Sequence, residues 1–209
     1  MRFLTIVTML LLAACGGPSV VVTGTFPDPL VTPLPLHTGV YFSDEFKTYV
    51  LEESKGEGLR TSHSSIDIGV AQLNLFQRLF KGYFQDVTYL TALPDSDEFS
   101  QLDGIIVPEV VELQYSVPND TKSKIYEVWI KYQLNLYRAD GELISSWPVT
   151  GYGKTPTRFM KRRDAALEQA AVVALRDAGA HFAARFDRLA TVKQWLETRV
   201  AANQMPGTE

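Results

Sequence analysis

The chain is poor in cysteine, with one, Cys15, in 209 residues. A single thiol cannot form an internal disulfide, and no CxxC motif or Cys/His cluster accompanies it. The sequence therefore excludes a disulfide framework and a cysteine-based zinc site. The apolar run at the N-terminus, residues 3–14, is also shorter than the roughly 20 residues that span a bilayer.

Basic charge and catalytic groupings are also scarce. The 20 Lys and Arg residues are outnumbered by 24 Asp and Glu, which argues against nucleic acid as a partner, since phosphate binding needs a basic footprint. No serine lies in a GxSxG elbow. His37, His63 and His181 are far apart, and none has a second ligand at helical or hairpin spacing. We therefore expect a protein that is not an enzyme and holds neither a metal nor a cofactor.

The segment TGYGKT, residues 150–155, resembles the end of a phosphate-binding loop. That motif requires a glycine five residues before Gly153, and Pro148 stands there instead. It also requires a helix after the Lys-Thr pair, whereas Pro156 follows. We interpret the segment as a strand end in which Gly151 and Gly153 serve backbone twist or close packing.

The N-terminus has the layout of a secretory signal: Arg2, an apolar run and then small residues. The sequence Leu12-Ala13-Ala14-Cys15 resembles the bacterial lipobox. This resemblance implies cleavage before Cys15 and a diacylglyceryl group on its thiol, whose chains bind a membrane with about 0.8 kcal/mol per buried methylene. The alternative is an incidental cysteine behind an ordinary signal peptide. Because Gly16 rather than Asp follows the cysteine, the resemblance implies the periplasmic face of the outer membrane.

We divide the chain into a signal peptide (1–14), a lipidated proline-rich tether (15–35), one α+β domain (36–202) and a flexible tail (203–209). Five of the eleven prolines lie in the tether, which would reach about 60 Å if extended like polyproline. An ordered arm packed on the domain is the alternative, favoured by the apolar run Val20-Val21-Val22.

Hydrophobic periodicity predicts a helix over residues 64–84 and a long helix with Asp164 as its N-cap. Strands are predicted at 39–42, 87–90, 105–117, 125–137 and 143–149, the last two joined by an Asp-Gly turn. Two amphipathic helices must bury their apolar stripes, and one face of a sheet can cover both. The predicted fold is an α+β two-layer sandwich, with a mostly antiparallel sheet of four or five strands and two helices on one face.

The predicted partner-binding residues are aromatic and basic. Trp129 and Trp147 lie on the two hairpin strands, and we expect both on the sheet face away from the helices, which would mark an interface; cross-strand packing without a partner is the alternative. Lys161, Arg162 and Arg163 form a basic cluster, either a docking patch or a solvated helix entry. Glu109 is expected on an apolar strand face, either paired with that cluster or turned to solvent by a bulge at Pro108.

Lipobox, tether and a small α+β domain together resemble accessory lipoproteins of the Gram-negative envelope, such as the lipopolysaccharide-assembly lipoprotein. This resemblance implies a non-enzymatic subunit of an assembly or transport machine that binds a membrane through its anchor and a protein through its sheet. The alternative is a lipid or glycolipid carrier that holds an acyl chain between the first helix and the sheet, near Phe76 and Phe80.

Overall fold

The computed structural model describes residues 17–56, 61–93, 100–118, 123–156 and 162–204. The strands in this part are β1 (Ser19–Val21), β2 (Leu34–Tyr41), β3 (Val50–Lys55), β4 (Ser62–Asp67), β5 (Phe84–Leu90), β6 (Gly104–Ser116), β7 (Ile125–Tyr137) and β8 (Leu143–Pro156). The helices are α1 (Asp44–Lys47), α2 (Gly69–Tyr83), α3 (Arg163–Arg185) and α4 (Ala190–Gln204), with a 3-10 turn at Phe186–Arg188. The α+β class is confirmed.

The described strands form two sheets, which corrects the prediction of one sheet covered by two helices. One sheet has five strands in the order β5-β2-β6-β7-β8, and the other has three in the order β1-β4-β3. The larger sheet is mixed rather than mostly antiparallel, because β2 pairs in parallel with both β5 and β6. Parallel neighbours need a long crossover, and between β2 and β5 the chain passes through α2.

The hairpin of β7 and β8 is the best predicted part of the fold. Strand β7 has the predicted bounds, and the turn at Asp140-Gly141 joins it to an antiparallel partner. Gly141 adopts a φ of 88°, in the left-handed region that glycine enters without strain. Strand β8 continues to Pro156, beyond the predicted end at residue 149.

The helix predicted over residues 64–84 begins only at Gly69. Residues Ser62–Asp67 form β4, which pairs with β3 and β1. Ser64 and Ile66 point inward, so the burial of this segment has the period of a strand. The Asp67 carboxylate then accepts the Gly69 N–H at 3.0 Å and satisfies one donor at the helix start.

Helices α2 and α3 cover one face of the five-stranded sheet with an aromatic core. Phe76 and Phe80 are fully buried. The Phe76 ring lies 5.1 Å from that of Tyr132 on β7, and the Phe80 ring lies 5.3 Å from that of Phe182 on α3. The space predicted to hold an acyl chain near these two residues is therefore filled by side chains, and that prediction is wrong.

Gly151 and Gly153 lie in β8 where α3 crosses it. A Cβ atom at Gly151 would lie 2.0 Å from the Ala174 carbonyl oxygen, and one at Gly153 would lie 2.0 Å from that of Ala170. Only glycine permits this approach of helix to strand. The interpretation of the two glycines as close-packing residues is confirmed.

A buried hydrogen-bond chain joins α1, α2 and β7. The Gln72 side chain donates to the Phe46 carbonyl oxygen, and the Tyr132 hydroxyl donates to Gln72 Oε1 at 3.0 Å. Burial raises the pKa of Tyr132 well above its usual value, so the phenol keeps the proton that it donates. Buried polar groups without partners cost free energy, and these hydrogen bonds supply partners for polar groups of all three elements.

The segment predicted as a tether is an ordered arm from Gly17 onward, which is the alternative left open above. Val20, Val22 and Phe26 are at most 4% exposed. Thr23 donates through its N–H and its hydroxyl to Glu168 on α3, and Arg176 donates to the Thr25 carbonyl oxygen at 3.0 Å. The arm therefore runs along α3 rather than extending away from the domain.

The long C-terminal helix is broken into two. Helix α3 ends at Arg185, and α4 begins after the 3-10 turn. This break allows Phe186, Val192 and Trp195 to be buried together with the core. Asp164 lies in the first turn of α3 rather than at the N-cap, where its carboxylate still favours the positive end of the helix dipole.

Candidate partner-binding face

The five-stranded sheet has one face packed by helices and one face turned away from them, which we call the open face. Alternate residues of β7 from Tyr126 to Leu136 are buried on the helix side, so the residues between them belong to the open face. On β8, Thr150, Tyr152 and Lys154 belong to the same face. Because strand residues alternate, these assignments follow from the register.

The centre of the open face is an aromatic pair. Trp129 lies opposite Tyr152 in the β7–β8 register, and their ring centroids are 5.2 Å apart. The Tyr152 hydroxyl donates to the Glu127 carboxylate at 2.6 Å. This bond, with a smaller effect of burial and of the Glu127 charge, raises the pKa of Tyr152 to about 12. The phenol is therefore neutral at physiological pH and is fixed in orientation beside the indole.

A row of polar side chains continues along the face from the aromatic pair. The Gln133 side chain donates to the Ser146 hydroxyl at 2.6 Å, and that hydroxyl donates to Asn135 Oδ1 at 2.6 Å. Thr150 and Lys131 are exposed nearby and pair across the two strands. The face thus combines a half-buried indole with satisfied amides and hydroxyls, which is the composition of a polar interface around an aromatic anchor.

A bulge in β6 shapes the edge of this surface. The β6–β7 register shifts between Val110 and Glu112, which leaves Val111 without a partner, 53% exposed. Beyond the shift, Glu112 and Gln114 turn to the open face, and a shallow hollow of 260 Å³ lies between them and Trp129, Lys131 and Thr150. Bulges re-aim side chains in this way, and this one presents an acid and an amide beside the indole.

The same bulge places Glu109 on the opposite face from the apolar residues that follow it in β6. This glutamate lies opposite Gln133 on the open face, on the same side of β6 as Ile105 and Val107, and it is exposed, so the alternative that it turns to solvent is confirmed. The register shift comes after Val110 and not at Pro108. The apolar residues of β6 change faces across this shift, which a strict alternation over residues 105–117 does not allow.

Trp147 does not belong to the open face, which corrects the predicted pair. It lies opposite Leu134, is 7% exposed, and packs its ring 5.6 Å from Phe186 and 6.5 Å from Phe182. Trp147 is therefore a core residue on the helix side. Tyr152 takes the place next to Trp129 that the sequence analysis gave to Trp147.

The other predicted site residues lie elsewhere or outside the described ranges. Cys15 and Lys161 are outside them. Arg162 and Arg163 are exposed at the start of α3, on the helix side of the sheet, so they are not continuous with the aromatic pair. Their role as a docking patch stays a prediction.

The three histidines make local hydrogen bonds. The His37 ring bonds the Thr88 hydroxyl at 3.0 Å, and the His63 ring bonds that of Ser54 at 2.9 Å. His181 on α3 bonds the Thr150 carbonyl oxygen at 2.6 Å. In the described ranges, no group of three His, Cys, Asp or Glu residues is arranged to hold a metal ion. None of the helices there is both long and apolar enough to cross a membrane.

The edge strand β8 is blocked against strand addition at its middle. Asp177 on α3 accepts the outward-facing N–H of Tyr152 at 2.9 Å, while His181 occupies the carbonyl oxygen of Thr150. A partner strand pairing here would have to displace both contacts. Recognition through the face of the sheet is thus favoured over recognition through this edge.

No protein-family model and no curated protein matches the chain. Among solved structures it is similar to a Xanthomonas campestris protein of family DUF330, at 10% identity and a TM-score of 0.49 over 90% of this chain and 98% of that one. It is also similar to a minor lipoprotein from Acinetobacter baumannii, at 6% identity and a TM-score of 0.43 over 80% of this chain and 96% of that one.

A protein described as a lipoprotein from Caulobacter crescentus is similar at 15% identity and a TM-score of 0.31, over 53% of this chain and 75% of that one. These TM-scores are below the level at which a shared fold is accepted. The similarities therefore carry no argument about this chain, and the functional proposal depends on its own residues.

Proposed function

We propose that the protein is a non-enzymatic lipoprotein, anchored by Cys15 to the periplasmic face of the outer membrane. It acts as an accessory subunit of an envelope assembly or transport machine and binds a protein partner through the open face. The observation that carries the proposal is the Trp129–Tyr152 pair, which lies half-buried on a sheet face away from the helices. Tryptophan and tyrosine, surrounded by polar groups, are the residues that most often dominate binding energy at protein interfaces.

The rigidity of the aromatic pair supports recognition. Tyr152 is held by Glu127 at 2.6 Å and by ring contact with Trp129, so a partner would find both rings already in place. Association costs free energy for each side chain that must be ordered, and preorganised side chains reduce that cost. The hollow beside Gln114 offers a place for a partner side chain to enter.

The lipid anchor rests on the lipobox, and the arm agrees with anchoring close to the domain. If Cys15 carries the lipid, only Gly16 and Gly17 separate it from Pro18, whose carbonyl oxygen accepts the Ser65 N–H at 2.9 Å. The folded body would therefore stand directly at the membrane surface and present the open face to proteins of the same envelope.

The test is site-specific photo-crosslinking in living cells. A photoreactive residue replaces Lys131 on the open face, and Lys193, exposed on α4, is the matched control position. We expect one partner protein crosslinked from position 131 and not from position 193. In the lipidated protein, Trp129→Ala should reduce that product strongly while leaving the melting temperature nearly unchanged.

Trp147→Ala provides the contrasting variant. Because Trp147 is buried against Phe182 and Phe186, its removal should destabilise the fold by about 3–5 kcal/mol instead of testing recognition. Equal crosslinking from positions 131 and 193, or a product that is insensitive to Trp129→Ala, would refute the open face as the binding surface.

A further inference from the structure

A groove lies between the N-terminal arm and the two large helices, on the side of the helices away from the sheet. Its volume is 580 Å³, within the range of sites that hold small molecules. Residues 27–31 of the arm form one wall, and Leu75 and Leu79 of α2 face them across a floor formed by α3. We call this feature the arm groove.

Small side chains make the floor of the arm groove. The α3 residues that line it include Gly179, Ala180, Ala183 and Ala184. At Gly179 a Cβ atom would meet only a Leu75 methyl group, at 3.1 Å, so the two helices are close here. Leu30 on the opposite wall is fully exposed. The lining is therefore aliphatic and accessible from solvent.

An arginine stands at each end of the floor. Arg176 and Arg188 both line the groove, Arg176 on α3 and Arg188 in the 3-10 turn that follows it. In the described part of the chain, neither guanidinium forms an ion pair with a carboxylate; Arg176 donates to the Thr25 carbonyl oxygen. Asp28, the acidic residue of the lining, is paired with Arg78 at 3.4 Å. The groove is thus locally positive in an acidic chain.

We propose that the arm groove binds a single long-chain amphiphile with an anionic head group, of which a fatty acid is the simplest example. The alkyl chain lies along Ala180 and Ala183 between Leu75 and the arm, and the head group meets Arg176 or Arg188. A guanidinium is suited to carboxylate and phosphate because it donates two parallel hydrogen bonds. This inference does not require the lipid on Cys15.

The chemistry of the lining favours this occupant over a peptide. A peptide brings backbone N–H groups that need acceptors once buried, and the carboxylate of Asp28 is already engaged. An alkyl chain makes no such demand. The anchor's own acyl chains are also disfavoured, because Gly17 is packed against His63 and Ser64 at the other end of the arm.

The test uses the mature lipidated protein reconstituted in phosphatidylcholine nanodiscs. The probe is a palmitic acid analogue with a diazirine in its chain, and the readout is the set of crosslinked peptides found by mass spectrometry. We expect labelling on residues 176–188, which belong to α3 and the 3-10 turn after it, and on the arm segment 27–31. Unlabelled palmitate should inhibit the labelling at a concentration at least about tenfold lower than hexadecanol, because only palmitate forms charge-assisted hydrogen bonds with the arginines.

Two variants locate the site. Ala180→Trp fills the floor from an exposed position and should abolish the labelling, whereas Ala190→Trp, at an exposed position outside the groove, should not change it. Arg176→Gln combined with Arg188→Gln should remove the preference for palmitate over hexadecanol, and Lys193→Gln, at an exposed position outside the groove, should leave it intact. Melting temperatures establish that each variant is folded. If Ala180→Trp does not fold, the double arginine variant serves as the test.

Three results would overturn the proposal. Labelling confined to Leu30 and not reduced by unlabelled palmitate would mean that the groove only touches the bilayer. Equal competition by hexadecanol would show that the groove does not recognise an anionic head group. Labelling that persists in folded Ala180→Trp would place the probe elsewhere.

Discussion

Lipidation of Cys15 would hold the domain close to the membrane, and lengthening the connection should release it. Three residue steps separate Cys15 from Pro18, which allows at most about 11 Å between their Cα atoms. Pro18 is fixed by its bond from Ser65, next to the end of the β3–β4 hairpin. The free tether predicted from the prolines would instead have reached about 60 Å.

The perturbation is an insertion of about 20 Gly and Ser residues between Gly16 and Gly17. Such a linker adds a root-mean-square distance of about 25 Å and leaves the lipobox unchanged. Energy transfer to fluorescent lipid head groups is then measured from a dye on Ser54→Cys or on Leu143→Cys. Ser54 pairs with His63 beside Gly17, and Leu143 pairs with Tyr137 at the C-terminal end of β7, a strand about 40 Å long.

In the native connection we expect much stronger transfer from position 54 than from position 143, and the insertion should remove most of that difference. If lipidated protein gives the same transfer with and without the insertion, or if position 143 transfers as well as position 54, then the arm does not fix the domain at the surface and the reasoning fails. Lipidation is verified separately in each sample by mass spectrometry.

Further predictions concern the core and the open face. Gly153→Ala should lower the free energy of unfolding by about 1–3 kcal/mol, because its Cβ would lie 2.0 Å from a carbonyl oxygen of α3. Urea denaturation measures this loss. The control is Gly179→Ala, which should be neutral or stabilising because its Cβ meets only a flexible leucine side chain. Tyr132→Phe should cost about 1–3 kcal/mol in the same assay, since it leaves a buried amide oxygen unpaired. Glu127→Ala should lower the pKa of Tyr152 from about 12 towards the usual 10.0, followed by tyrosinate absorbance. Because that pKa is raised in the folded state, its contribution to stability is complete below the unfolded value and is lost as the pH rises towards about 12.

Local patterns that agree with long-range pairing could be read from the sequence. The alternation over residues 125–137 predicts β7 with its observed bounds, because one apolar face and one polar face permit only one orientation of the strand. The short strand β4 could not be predicted this way. Its partners β1 and β3 lie outside any local window, and its residues precede a helix without a break.

The candidate site was half predictable. Trp129 follows from the polar side of β7, whereas Tyr152 was missed and Trp147 was placed on the wrong face. Counting outward from the Asp140-Gly141 turn would have placed Trp147 opposite Leu134 and Tyr152 opposite Trp129, as the register has them. The bulge after Val110 and the arm groove leave no comparable signal, because both depend on how distant segments meet.

The central claim is that this is a lipid-anchored protein, and the mass of its N-terminal peptide tests it most directly. Protein isolated from bacterial membranes should begin at Cys15 and carry a diacylglyceryl group on the thiol, and Cys15→Ser should abolish both the cleavage and the modification. A mature chain that begins elsewhere, or one whose Cys15 has an unmodified thiol, would contradict the account.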